Sequence, residues 1–318
     1  INPSRIGVIT ILKKMGAKIL LKQTDFKKDE INLSAFSSGG YSTASFEKLD
    51  SAKYTEDILG SADIGDLTVL EKANLYSQEA IDVVPYISEE NEGVSGYSNN
   101  ENLETMFKLL YLNFTDLRIN QTHVDRFKKI KINEYKIEKE SPKHEYYLEF
   151  RKKTYQDHPR TQYATDKSFE QIDLTEVQNF YKDRFIDGGD FDFLFVGDFK
   201  FEIIEPLIEK YIGSLKSSDR EDAYIDHNIR MNQNKEYIEY VEEDPKKATV
   251  LRIYNKEFNY TYKEKIKSRL LFSILDKLLF DEVREKDNLV YSISASKYFD
   301  QKIPIELMSF YTYFEADP

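Results

Sequence analysis

Apolar side chains recur along this chain at two spacings, and turn residues mark each change from one to the other. Residues 17–22, Ala-Lys-Ile-Leu-Leu-Lys, and residues 31–36, Ile-Asn-Leu-Ser-Ala-Phe, read as two strands, the second alternating apolar with polar. The charged turn Asp25-Phe26-Lys27-Lys28-Asp29 separates them, and Gly39-Gly40 stops the second. Helical spacing follows over residues 46–60 and 67–76, then strands over 83–87 and 94–97 joined by an acidic, Gly-containing turn. Leu103, Met106, Phe107, Leu110 and Tyr111 fall on one helical face, and a long charged helix starts near Thr122. A further helix crosses residues 146–153. Asp173 and Glu176 have the spacing of a helix-capping pair ahead of an amphipathic helix over 177–185. After Gly188-Gly189 come a buried strand over 191–196 and a helix over 203–212.

The polar run 217–222 is the best linker candidate, so the chain divides into domains 1–216 and 217–318. Beyond it the opening pattern recurs. A shift of 219 residues pairs Ile19 with Ile238, Leu21 with Tyr240, Asp25 with Asp244, Lys27-Lys28 with Lys246-Lys247 and Ile31 with Val250. A strand, a charged turn, a strand and then a helix in both places point to two related domains. The second helix carries Ile266, Leu270, Leu271, Ile274, Leu275, Leu278 and Leu279, and strands over 291–298 and 305–314 close the sequence. The second domain is much the shorter and is expected to be truncated. The missing initiator Met is expected of a processed or excised product.

Composition narrows the function classes. Apolar residues make up 40% of the 318, and 23 Tyr and 21 Phe argue for a packed core against disorder. No apolar run approaches the roughly 18 residues of a membrane span, and the first residues show no signal peptide. A net charge of −12, with Lys and Arg interleaved among acids, argues against a nucleic-acid partner. The absence of cysteine removes disulfides, thiolate metal sites and cysteine nucleophiles together.

Histidine decides the metal question at this level. A catalytic zinc takes three protein ligands, and two helical His ligands must stand four apart to share a face. His123, His144, His158 and His227 include no such pair. His144-Glu145 begins like H-E-x-x-H, but Leu148 stands where the second His is required; Arg126 and Phe127 break the inverted motif after His123. His144 is read as a solvated helix residue and His158 as a loop residue. There is no G-x-S-x-G elbow and no phosphate-cradling glycine loop. No catalytic residue and no metal ligand is assigned.

One constellation carries chemistry. Residues 280–292 close the long apolar helix and open a strand, and within them Arg284-Glu285 precedes Leu289 and Tyr291. The segment resembles R-E-x-x-x-L-x-Y in the second half of the pitrilysin, insulin-degrading enzyme and mitochondrial processing peptidase family. In that family this Arg and Tyr, seven residues apart, reach the substrate held at the zinc, so the resemblance implies substrate binding by Arg284 and Tyr291. A guanidinium offers fixed planar donors, and a phenol can donate to an oxygen gaining charge. Phe36-Ser37-Ser38-Gly39-Gly40, residues 93–111 and residues 163–198 resemble the long bacterial members in order. Where the active half carries its inverted zinc motif, residues 53–58 read Lys-Tyr-Thr-Glu-Asp-Ile, without histidine.

The resemblance implies an α+β fold of two related metallopeptidase-like (LuxS- and mitochondrial-processing-peptidase-like) domains, each sheet covered by helices on one side. It implies the non-catalytic half of a zinc-dependent endopeptidase: wall of a degradation chamber, contact with peptide or unfolded-protein substrate, and zinc held by an N-terminal catalytic half. A separate non-catalytic subunit and a peptide-binding scaffold are the rival readings. Export of the family's large bacterial members implies the periplasm.

Overall fold

A computed structural model describes residues 16–218, 220–238, 248–286, 290–300 and 306–316. Strict alternation in the second strand decides the geometry of the first part of the chain. In β2 (Ile31–Ser38), Ile31, Leu33 and Ala35 are buried while Asn32, Ser34 and Phe36 face the other way, as a period of two requires. The strand therefore has one core face and one open face. Its partners are β1 (Lys18–Gln23), β4 (Ile81–Ile87), β5 (Asn91–Ser98) and β7 (Asp192–Gly197), in the order β1-β7-β2-β5-β4.

The sheet is mixed. β7 pairs antiparallel with β2 and parallel with β1, Lys18 opposite Asp192, so a strand formed late in the sequence lies between two formed early. Ile19, Leu21, Ile31, Leu33, Val83, Val94, Phe193 and Phe195 make the buried face. Helices pack on it. These include α4 (Leu103–Thr115), α8 (Leu174–Phe185) and α9 (Phe201–Tyr211). Phe107 of α4 stacks on Phe195 at 4.9 Å between centroids, and Phe114 meets Phe191 edge to face at 4.8 Å. Such pairs add about 0.5–1.5 kcal/mol beyond their buried area. On the open face Phe36, Val84 and Tyr97 are about two-fifths exposed.

The helix expected over 46–60 divides into α1 (Leu49–Lys53) and α2 (Thr55–Leu59), because Tyr54 leaves helical geometry (φ −99°, ψ 8°) to seat its ring against Phe127 and Phe169. A two-stranded ribbon of β3 (Asp63–Ile64) and β6 (Leu117–Arg118) brackets α3 (Val69–Gln78), which opens on a Thr68–Glu71 capping box. α5 (Gln121–Lys139) is the long charged helix. α7 (Asp166–Gln171) and α8 each begin at a side-chain cap, the latter at Asp173, whose carboxylate accepts from the Glu176 amide.

By internal contacts the chain forms two units: residues 16–136 with 164–225, and residues 137–163 with those described from 226 on. The second unit contains α6 (His144–Thr154), β8 (Ala248–Glu257), α10 (Tyr262–Leu279), β9 (Ser292–Asp300) and β10 (Leu307–Ala316). Its antiparallel sheet runs β8-β10-β9. α10 lies on one face: Phe272 packs on Phe310 at 5.0 Å, and Asp276 accepts from the Ala295 amide at 2.7 Å. On the other face Ser309 donates to Asn255 at 2.7 Å. Of the recurrent pattern, Ile31 and Val250 both lie in strands, β2 and β8; Tyr240, Asp244 and Lys246-Lys247 fall outside the described residues.

Candidate functional site

Arg284 stands in the second unit on a wide helical turn, Phe280–Lys286, that continues α10. Its guanidinium lies 4.8 Å from the centre of the Phe280 ring and 3.8 Å from the Glu285 carboxylate, with the side chain 44% exposed. An ion pair this exposed is worth little. Tyr291 is half exposed, and its amide donates to the Glu315 carbonyl at 2.7 Å, which ties it to the end of β10. Leu289 lies outside the described residues. Val283 and Val290, the neighbours of the two candidate residues, help line an apolar groove of about 520 Å³ with Leu279, Ile293 and Phe310.

The histidines do not converge. His123 exchanges hydrogen bonds with Asn120 at the start of α5. His144 is not the solvated residue expected: it is buried, its ring edge-on to Tyr163 at 5.9 Å. Its helix begins a half-turn earlier than periodicity indicated, so that His144 is its first residue. His158 caps a short 3₁₀ turn, one ring nitrogen accepting from the Arg160 amide and the other 3.0 Å from the His227 carbonyl. At residues 53–58, Glu56 accepts from the Ile87 amide at 3.2 Å and the Thr55 hydroxyl donates to the Ser51 carbonyl at 2.8 Å. These groups serve local packing.

Sequence reasoning passed over a second constellation, in the first unit. Glu92 of β5 is fully buried at the end of the sheet where Gly39-Gly40 turns the chain. Gly40 adopts φ 53° and a side chain there would press on the Ser88 carbonyl, so glycine is required; its amide donates to Glu92 Oε2 at 2.7 Å. Buried Arg184 of α8 pairs with Asp222 at 2.9 Å and Asp183 at 2.5 Å, and stands 3.6 Å from Glu92 Oε1. Asp190 accepts from the Ser37 hydroxyl at 2.7 Å and from the Asp222 amide at 3.2 Å. Burial first, with the Asp222 and Asp190 charges adding to it, outweighs Arg184 and pushes the Glu92 carboxyl up to about 7. Nothing marked Glu92 in the sequence, because it looks like one more acid in a polar turn.

Glu92, Asp190 and Asp222 can bring three carboxylate oxygens within 4.8 Å of one another. Catalytic zinc sites are built mainly on imidazole with an open coordination position. Three carboxylates around a guanidinium do not fit that description.

Residues 171–318 match the model of the peptidase M16 inactive domain. A curated protein similar to this chain is the probable zinc protease PqqL of Haemophilus influenzae, 19% identical over 306 residues, covering 95% of this chain and 32% of that protein. The periplasmic protease PqqL of Escherichia coli shares the fold with a TM-score of 0.81 at 18% identity, over 95% of this chain and 33% of its own. A mutant of the ferredoxin protease FusC, solved in complex with Arabidopsis ferredoxin, superposes with a TM-score of 0.79 at 12% identity, over 95% of this chain and 33% of its own. The chain thus spans about a third of the length of these relatives. Arg284 and Tyr291 lie within the residues that match the M16 inactive domain, as do Arg184, Asp190 and Asp222, whereas Glu92 lies before them.

Proposed function

We propose that this chain is the non-catalytic half of a zinc-dependent endopeptidase, walling part of a peptide-degradation chamber and touching substrate through Arg284 and Tyr291. The observation that carries the reading is the M16 inactive-domain match across residues 171–318, which takes in the Arg284–Tyr291 segment. In this reading zinc belongs to a catalytic half, joined in the same polypeptide or supplied as a subunit. The substrate is peptide or unfolded protein, and the compartment is the periplasm, by analogy with the E. coli protein.

The side chains support a contact role. Arg284 offers planar N–H donors on an exposed turn, suited to a peptide carbonyl or carboxylate. The Tyr291 phenol can donate to an oxygen that gains charge at the scissile bond. Both contacts matter only with a substrate held by another group, so the isolated chain hydrolyses nothing.

The experiment is reconstitution with the zinc-bearing half and a quenched fluorescent peptide. Cleavage is expected only with both halves present, and Arg284→Ala is expected to lower kcat/KM without dissociating them. Chelator-sensitive cleavage by this chain alone, or wild-type kcat/KM in both Arg284→Ala and Tyr291→Phe, overturns the proposal.

A further inference from the structure

The buried cluster around Glu92 takes no part in the proposed function, and its charges do not balance. Glu92 and Asp222 lie beside the guanidinium of Arg184, which also serves Asp183, and Asp190 lies close to both carboxylates. Arg220 adds a second positive charge, but on the outer side, at 2.7 Å from Asp222 and 3.0 Å from Asp183. Glu92 Oε2 has the Gly40 amide; Oε1 is sealed from solvent and has no hydrogen-bond partner among the described residues. At 3.6 Å the Arg184 guanidinium is too far to supply that bond. A buried carboxylate oxygen without a donor is costly. A carboxylic acid there has its own O–H to give to a neighbouring carboxylate.

What the cluster holds is a strap. From Asp222 to Ile225 the chain lies along the end of the sheet, just before the sequence passes into the second unit. The Asp222 amide donates to Asp190 at 3.2 Å, the Asp222 carboxylate meets Arg184 at 2.9 Å, and the Ile225 amide donates to the Ser42 hydroxyl at 2.9 Å. Ser42 lies in the Gly40–Thr43 turn, whose first amide is the one held by Glu92. The attachments of Asp222 and Ile225 therefore lead back to the surroundings of Glu92, whereas Arg220 is held separately, its amide donating to Asp187 at 3.3 Å and its guanidinium to Asp183 at 3.0 Å.

We propose that Glu92 is a proton-operated latch: in mildly acidic solution it keeps a proton that it shares with Asp190 or Asp222, and losing that proton to solvent as pH rises through neutrality releases the strap Asp222–Ile225. The groups that face Glu92 are Arg184 and Asp183 from α8, Asp190 from the turn before β7, Asp222 from the strap and Arg220 ahead of it, and Tyr86 from β4, with Glu56 of α2 near Tyr86. Four of these seven are carboxylates, and only the two arginines oppose them. Ionisation of Glu92 adds one negative charge where no further donor stands among the described residues, and the Asp222 carboxylate, at 18% exposure, has an outlet to water. The raised carboxyl of Glu92, about 7, sets the range in which the latch works.

The test uses the whole chain, with the Glu92 side-chain carboxyl followed by carbon-13 NMR and the Asp222 and Ile225 amides by hydrogen exchange between pH 5.5 and 8.5. Glu92 is expected to titrate near neutrality. The protection factors of both amides should fall about tenfold or more as it does, the equilibrium factor that one pKa unit represents. In Glu92→Gln, whose amide can mimic the protonated acid as a donor, protection should stay constant across the range. If that variant does not fold, Asp190→Asn serves instead: removing a neighbouring negative charge should move the Glu92 titration and the loss of protection together to lower pH. Titration of Glu92 at an ordinary carboxylate pH, or identical protection profiles in wild type and Glu92→Gln, overturns the latch. A saturable shift of the Glu92 resonance on adding calcium or zinc chloride also overturns it, because the cluster is then a cation site.

Discussion

The two sheets of this protein meet their helices on very different terms. In the first unit α4 sends Leu103, Met106, Phe107 and Leu110 into the core, each no more than 2% exposed. In the second, α10 shows an equally regular apolar spacing, yet Leu270, Leu271, Ile274 and Leu278 are 53–62% exposed, and Phe272 is its one large side chain that is fully buried. Among the described residues the first sheet has five strands and several covering helices; the second has three strands and α10. Periodicity therefore reports what a helix is able to bury, and the surface available decides what it does bury.

Breaking the comparison begins in the first core. Phe107→Ala removes a ring stacked on Phe195 and is expected to cost about 3–5 kcal/mol in chemical denaturation. The next effect is a pH dependence. The Glu92 carboxyl is raised in the folded protein from the model-peptide range near 4.5 to about 7. The folded state then holds a proton that the unfolded state has released. Stability is fully present below about pH 4.5, falls as pH rises toward about 7 and levels off above it. At about 1.4 kcal/mol per unit, wild type should lose about 3 kcal/mol relative to Glu92→Gln across that window, read as the difference of two denaturation midpoints.

Smaller effects belong to the second unit. Arg284→Ala should lower kcat/KM of the reconstituted peptidase about 10- to 100-fold, or about 1.4–2.7 kcal/mol, while leaving the denaturation midpoint unchanged. Least of all, Leu270→Ala on α10 should change stability by no more than about 0.5 kcal/mol, since its side chain is already 62% exposed. A loss of 2 kcal/mol or more there would show that the α10 face is covered in solution and would erase the contrast with α4.

Much of the fold was legible because it rests on local signals. The alternation in β2, the spacing in α4 and the Asp173 cap of α8 each appear where the residues called for them. The break at Tyr54 was not legible, since nothing local announces that its ring pairs with Phe127 and Phe169, far along the chain. The inward turn of His144 failed for the same reason. At the candidate sites the contrast is sharper. Arg284 and Tyr291 could be named because a contiguous segment carries their resemblance. The Glu92 cluster draws on residues 92, 184, 190 and 222, which only the closed sheet brings together, and each looks in isolation like ordinary surface charge.

The insertion of β7 between β1 and β2 has a consequence for biosynthesis. Lys18 finds its hydrogen-bonded neighbour in Asp192, so a nascent chain that has not yet emerged that far from the ribosome holds β1 and the adjoining edge of β2 without partners. Bare strand edges are templates for aggregation, and contacts of such long sequence separation form slowly. Until translation delivers Asp192–Gly197, then, those strand edges of the first unit stay open.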